Sequence, residues 1–145
     1  MFIVIVSVGI AGILIVFDTV VKSSADPMVR KQSIAMADAI LEEILLKAYQ
    51  NPSGGYSTTP ATCAGDRPLL DDVSDYACFD GSSATTKIFG SQMLGSATGP
   101  LPDTFWATVA VSTPTVSGLT MKLVTVTVTN PSSATYVLSG YRGNF

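Results

Sequence analysis

The sequence, 145 residues long, contains no histidine. That removes the side chain most often used as a general acid or base near neutral pH, and the commonest ligand for transition metals. Charge is scarce as well: Asp, Glu, Lys and Arg make up 13% of the chain, and the formal net charge is -3. With 8 basic against 11 acidic residues there is no basic footprint for a nucleic acid. Only two cysteines are present, too few to complete a zinc site without histidine. No glycine-rich phosphate loop and no Ser-x-x-Lys motif occurs. The inventory therefore predicts a chain that is not an enzyme and has no small-molecule substrate.

What is present is unevenly spread. None of the charges falls in residues 1–17, an apolar run interrupted only by Ser7, Gly9 and Gly12 before Asp18. Such a run is near the lower length limit of a membrane-spanning helix, and a chain of this size has too little protein to bury it as a core helix. The expectation for residues 1–22 is a helix held in a membrane or in a bundle of helices, with Phe2, Ile3, Ile5, Val8, Gly9, Gly12, Leu14 and Phe17 as its contact residues. A cleaved secretory signal is the rival reading, with Ser23-Ser24-Ala25 as the cleavage site. Against it, no Lys or Arg precedes the run, the run is longer than a signal core, and Asp18 intervenes. Gly9 and Gly12 serve close helix approach, local melting, or nothing beyond the tolerance of membrane helices for glycine.

Two signals set the orientation, and they conflict. Lys22, Arg30 and Lys31 follow the apolar run, which by the positive-inside rule places the C-terminal part in the cytoplasm. Cys63 and Cys78 stand alone in a loop-rich stretch and read as a disulfide, which requires an oxidising compartment. Precedence goes to the cysteines, so a single pass with residues 23–145 outside the cytoplasm is expected.

Within that part, residues 28–49 predict an amphipathic helix, with Ile34, Ala37, Leu41, Ile44, Leu45 and Ala48 as its apolar stripe and Glu43–Lys47 as an i,i+4 pair. Pro27 either kinks a continuous helix or opens a new one capped by Asp26, and is the expected hinge. Asn51-Pro52-Ser53-Gly54-Gly55 should end the helix. Residues 50–102 show no firm period, and short turns or a short strand are expected there, pinned by Cys63–Cys78. A bridge across about 15 residues contributes on the order of 3 kcal/mol by loop closure. Residues 103–143 predict a three-stranded antiparallel meander: 105–111, 119–129 with a bulge or two-sided burial near Leu123, and 134–141, with a fourth strand from the middle region. The amphipathic helix should cover one face of the sheet. Phe105, Trp106, Tyr136 and Tyr141 read as sheet packing.

Asp66, Asp71, Asp72, Asp75 and Asp80 fall within 15 residues. Asp71, Asp72 and Asp75 are the candidate Ca²⁺ ligands, but the spacing is not that of an EF-hand, and a solvated turn in which the carboxylates cap local structure fits better. No cofactor is implied. The disulfide loop frames a partner-contacting surface or simply staples a weakly cored domain.

Three stretches carry a family likeness: Ser24-Ala25-Asp26-Pro27-Met28-Val29-Arg30-Lys31-Gln32 with Leu41-Glu42-Glu43-Ile44; Leu70-Asp71-Asp72-Val73-Ser74-Asp75-Tyr76; and Leu138-Ser139-Gly140-Tyr141-Arg142-Gly143-Asn144. In that order, over nearly the whole chain, they resemble type IV pilins and pseudopilins, and most closely the MshD-like minor pilins of the mannose-sensitive haemagglutinin (MSHA) system. The resemblance implies an α+β pilin-like fold, with a long N-terminal helix, apolar then amphipathic, on a sheet of three to four strands. It also implies a minor structural subunit, stored in the bacterial inner membrane and then moved to the pilus at the cell surface. There it would act in assembly, initiation or the tip, and in adhesion. Its partners would be other pilin subunits, through the N-terminal helix, and the inner-membrane assembly machinery. A minor pseudopilin of a type II secretion system and a membrane-anchored binding domain are the alternatives. Family members begin, after a basic leader ending in Gly, with a Phe-Thr-Leu-Ile-Glu type motif. Met1-Phe2-Ile3 matches the family helix roughly half a dozen residues further in, so leader and motif are expected upstream.

Overall fold

The computed structural model describes residues 2–56, 63–93 and 101–144; for residues 2–5, 8–9 and 17–26 only the backbone is described. The chain divides into two compact units, Met1–Gln32 and Ser33–Phe145. Helix α1 runs from Phe2 to Leu45 with Pro27 inside it, so the helix does not restart there. It stops at Leu45, ahead of the Asn51-Pro52 breaker expected to end it.

The second unit is α+β. Its principal sheet has four antiparallel strands: β1 (Ile88–Phe89), β2 (Trp106–Ser112), β5 (Lys122–Thr129) and β6 (Thr135–Arg142), in the order β1-β2-β5-β6. A separate hairpin, β3 (Thr115–Val116) with β4 (Leu119–Thr120), branches from the β2–β5 connection. The strands form where apolar and hydroxyl side chains alternate. Ala107, Val109, Val124, Val126 and Val128 are buried, while Thr125, Thr127 and Thr129 lie on the other face. Register follows from this, with Val109 opposite Val126 and Val126 opposite Leu138. The fourth strand expected from the middle region is β1.

The phase change in the second predicted strand is not a bulge near Leu123. Leu119 pairs with Val116 in the hairpin, Met121 breaks the ladder by donating to the Pro114 carbonyl at 3.1 Å, and β5 starts afresh at Lys122. The hairpin turns at Ser117 and Gly118, with φ of 52° and 83°. Two consecutive positive values are what a tight primed turn needs, and Gly118 takes its share without Cβ strain. The β5–β6 turn is held by Asn130, whose Oδ1 accepts from the amides of Ser132 and Ala134 at 3.0 and 2.9 Å.

The helical face that meets the sheet is Ser33, Met36, Ala37, Ile40, Leu41 and Ile44, all buried. The expected stripe is thus rotated: Ile34 is 39% exposed, while Met36 and Ile40 are fully covered. Gly140 of β6 lets the helix in, since a Cβ there would lie 2.9 Å from Leu45 Cδ1. Of the four aromatic residues read as packing, Phe105 is buried, Trp106 and Tyr136 are half-buried, and Tyr141 is exposed. The chain from α1 to β1 carries helix α2 (Cys63–Asp66) and short 3₁₀ turns at Arg67–Leu69, Asp75–Cys78 and Ala84–Thr86, and a further turn, Gly90–Gln92, follows β1.

Candidate functional site

Three features could carry a role. The first lies in α1, in the N-terminal unit. Ile10, Ile13, Leu14, Ile15 and Val16 are each between 54% and 69% exposed. Four consecutive helical residues point in directions about 100° apart and so sample the whole circumference. Residues 13–16 therefore present apolar surface all round. Nothing stands within 4 Å of where a Gly12 Cβ would be. Phe2, Ile3, Ile5, Val8, Gly9 and Phe17 lie outside the residues whose surroundings are described. Among the described residues, no helix is long and apolar enough to cross a membrane.

The second is the acidic loop. The structure brings one carboxylate oxygen from each of Asp71, Asp72 and Asp75 within 4.8 Å of the others. Asp66 and Asp80 are used elsewhere, as acceptors for the Tyr56 hydroxyl and the Ser82 amide. One oxygen of each carboxylate is held by protein. Asp75 Oδ2 accepts from the amides of Asp71 and Asp72, Asp72 Oδ1 accepts from the Ser74 amide, and Asp71 Oδ2 accepts from the Tyr56 amide at 2.8 Å. Lys122 Nζ lies 3.6 Å from Asp72 Oδ1 and 5.1 Å from the centre of the Tyr49 ring. Asp71 Oδ1 alone, among the described residues, is a buried side-chain polar atom without a partner. Burial pushes the Asp75 carboxyl above its ordinary value, and the charges of Asp72 and Asp71 add to that push against the amides that lower it. A calcium ion takes about six to eight oxygens. Here three of the six carboxylate oxygens hold backbone amides, one of them beside an ammonium as well, and those amide bonds fix the turn from Asp71 to Asp75.

The third is the disulfide region. Cys63 and Cys78 are bonded, as their isolation in the sequence predicts. The loop between them grips the end of α1. Arg67 Nε donates to Glu43 Oε1 at 3.1 Å while its Nη2 pairs with Oε2, and Tyr76 Oη donates to Oε1 at 2.7 Å. Glu43 thus pairs with Arg67 across 24 residues, and the ammonium of its expected helical partner, Lys47, donates to the Leu70 carbonyl at 2.7 Å. Burial raises the pKa of Glu43, but the hydrogen bond and charge of Arg67, the Tyr76 hydroxyl and the charge of Lys47 outweigh it and hold the carboxyl below its ordinary value. Burial, then the bond to Glu43 and its charge, push the Tyr76 hydroxyl far above the usual tyrosine range.

Sequence reasoning missed Arg67, Tyr76 and Lys122 as partners. The available signal was a lone arginine between two cysteines in an otherwise acidic stretch. Nearby, a cleft of about 390 Å³ opens beside the hairpin, lined by Tyr49, Leu119, Thr120 and Met121 among others. Comparison with family models, curated proteins and solved structures finds no match to this chain.

Proposed function

We propose that the chain is a minor, pilin-like structural subunit of an MSHA-type type IV pilus, not an enzyme. The observation that carries this reading is the exposure of Ile13, Leu14, Ile15 and Val16 on every side of α1. Apolar surface of that extent favours lipid or a bundle of like helices over water. A filament subunit uses both in turn: the helix is stored in the inner membrane, then leaves it to pack against sister helices. The uncharged run of residues 1–17 suits both environments, because no side chain in it must be desolvated or paired on the way.

The second unit supports the same reading by what it holds. Its disulfide belongs to an oxidising compartment. Its helix-on-sheet architecture with a disulfide loop is compatible with a head carried outside the cytoplasm. Other pilin subunits and the inner-membrane assembly machinery are the proposed partners, with no cofactor.

The test is a photo-crosslinking residue in place of Leu14, in cells that make the filament. The expected result is adducts with other pilin-type subunits in sheared fibres. Adducts only with unrelated proteins, or none while the chain is present in the cell, would refute the role.

A further inference from the structure

We propose that the loop between Cys63 and Cys78 is a redox-latched clasp on the C-terminal end of α1: the disulfide holds the loop in the one shape that grips Glu43, Lys47 and Ala48, and reduction releases that grip while the sheet stays folded. This goes beyond the filament role and does not depend on it.

The grip is dense and comes from the loop itself. Arg67 and Tyr76 both donate to the Glu43 carboxylate, and Leu70 accepts from Lys47. Ala48 donates to the Asp71 carbonyl at 3.1 Å and accepts from the Val73 amide at 3.0 Å, a short parallel bridge. Arg67 is the hub. It is 8% exposed, and its Nη1 also donates to the Gln92 carbonyl at 3.0 Å. A guanidinium so far out of water is tolerated only with its carboxylate in place.

The loop is anchored by the buried side chains of Leu70, Val73 and Tyr76, but its backbone has little regular structure to hold this shape. Its regular structure is one four-residue helix and two 3₁₀ turns, of three and four residues, all shorter than a helix that stands without support. Arg67 and Tyr76 lie near opposite ends of the loop, four and two residues inside the cysteines, yet they meet on one carboxylate. Joining the ends removes the entropy that opposes this meeting. The sheet ladders, by contrast, are made by β1, β2, β5 and β6, all outside the loop.

Opening the latch breaks the bond between the two Sγ atoms. A dithiol reductant supplies two electrons and two protons, the protein gains two thiols, and the reductant leaves as a disulfide. A newly made chain in a reducing compartment is then in the unlatched state, and the clasp closes when the pair is oxidised.

The test is amide hydrogen exchange on the full chain in detergent micelles, oxidised and then in dithiothreitol. The Ala48 and Val73 amides should exchange about a hundredfold faster after reduction, the order set by freeing a loop of this length. The amides of β5 should change less than about threefold. A Cys63→Ser, Cys78→Ser variant should reproduce the reduced pattern. Glu43→Gln should speed exchange at Val73 in the oxidised protein and add little in the reduced one. Unchanged protection at Ala48 and Val73 on reduction would overturn the proposal. So would equal loss at β5, which would make the bond a staple of the whole head, or the same Glu43→Gln effect in both states.

Discussion

Gly140 and Leu45 are fitted to each other: a methyl group on the glycine would reach to 2.9 Å from Leu45 Cδ1, with Leu41 Cδ1 at 3.4 Å. This contact sets how closely α1 lies on β6. Gly140→Ala should be mild, because the atom it meets is the free end of a leucine that can turn aside. Gly140→Val should cost about 1–3 kcal/mol by overpacking. Thermal unfolding of the full chain in detergent, followed by the near-ultraviolet signal, checks both.

Ile40 and Ile34 separate the face the helix uses from the one its sequence suggests. Ile40 is 0% exposed and Ile34 is 39% exposed. Ile40→Ala should destabilise the head by about 2–5 kcal/mol. Ile34→Ala should stay within about 0.5 kcal/mol, measured by denaturant midpoints in the same detergent.

The difference shows where sequence reasoning runs out. Residues 34–37 and 39–41 are Ile, Ala, Met, Ala and then Ala, Ile, Leu, so apolar side chains surround the helix there and a 3.6-residue period does not select a face. The sheet selects it, through the gap at Gly140. The strands were legible because Val-Thr alternation admits one phase only, and the β5–β6 turn because Asn130-Pro131 is incompatible with either strand. The disulfide was legible from isolation alone. Glu43–Arg67 was not, because an ion pair between residues 24 apart leaves no periodic mark, whereas Glu43–Lys47 matches a local rule. The Leu119 phase error came from joining two ladders, β4 and β5, across Met121.

Lys122 reaches a buried Asp72, which is 3% exposed. Lys122→Met should leave that carboxylate without its cation and cost about 3–5 kcal/mol. Adding Asp72→Asn should restore much of the loss, since the amide oxygen still accepts from Ser74. Unfolding midpoints of the single and double variants give the comparison.

Glu43 and Asp75 impose opposite pH dependences. The folded pKa of Glu43 lies below its ordinary value, so its contribution is present above the unfolded pKa and is lost as pH falls through the folded one. Asp75 has a raised folded pKa, so its contribution is full below the unfolded pKa and is lost as pH rises through the folded one. Glu43→Gln should therefore reduce the fall in melting temperature on acidification from pH 6. Asp75→Asn, which keeps an acceptor for the Asp71 and Asp72 amides, should be neutral to stabilising at pH 7 and lose that advantage at pH 3. Melting temperature against pH for the three proteins decides the signs.

The most direct test of the proposed role is where the two ends of the chain lie in a cell. Expressed in a Gram-negative bacterium, the chain should sediment with inner membranes and resist carbonate extraction. Protease added to intact spheroplasts should then cut the head that carries the oxidised Cys63–Cys78 pair. A chain recovered in the soluble cytosolic fraction, or a head shielded from protease with two free thiols, would contradict it.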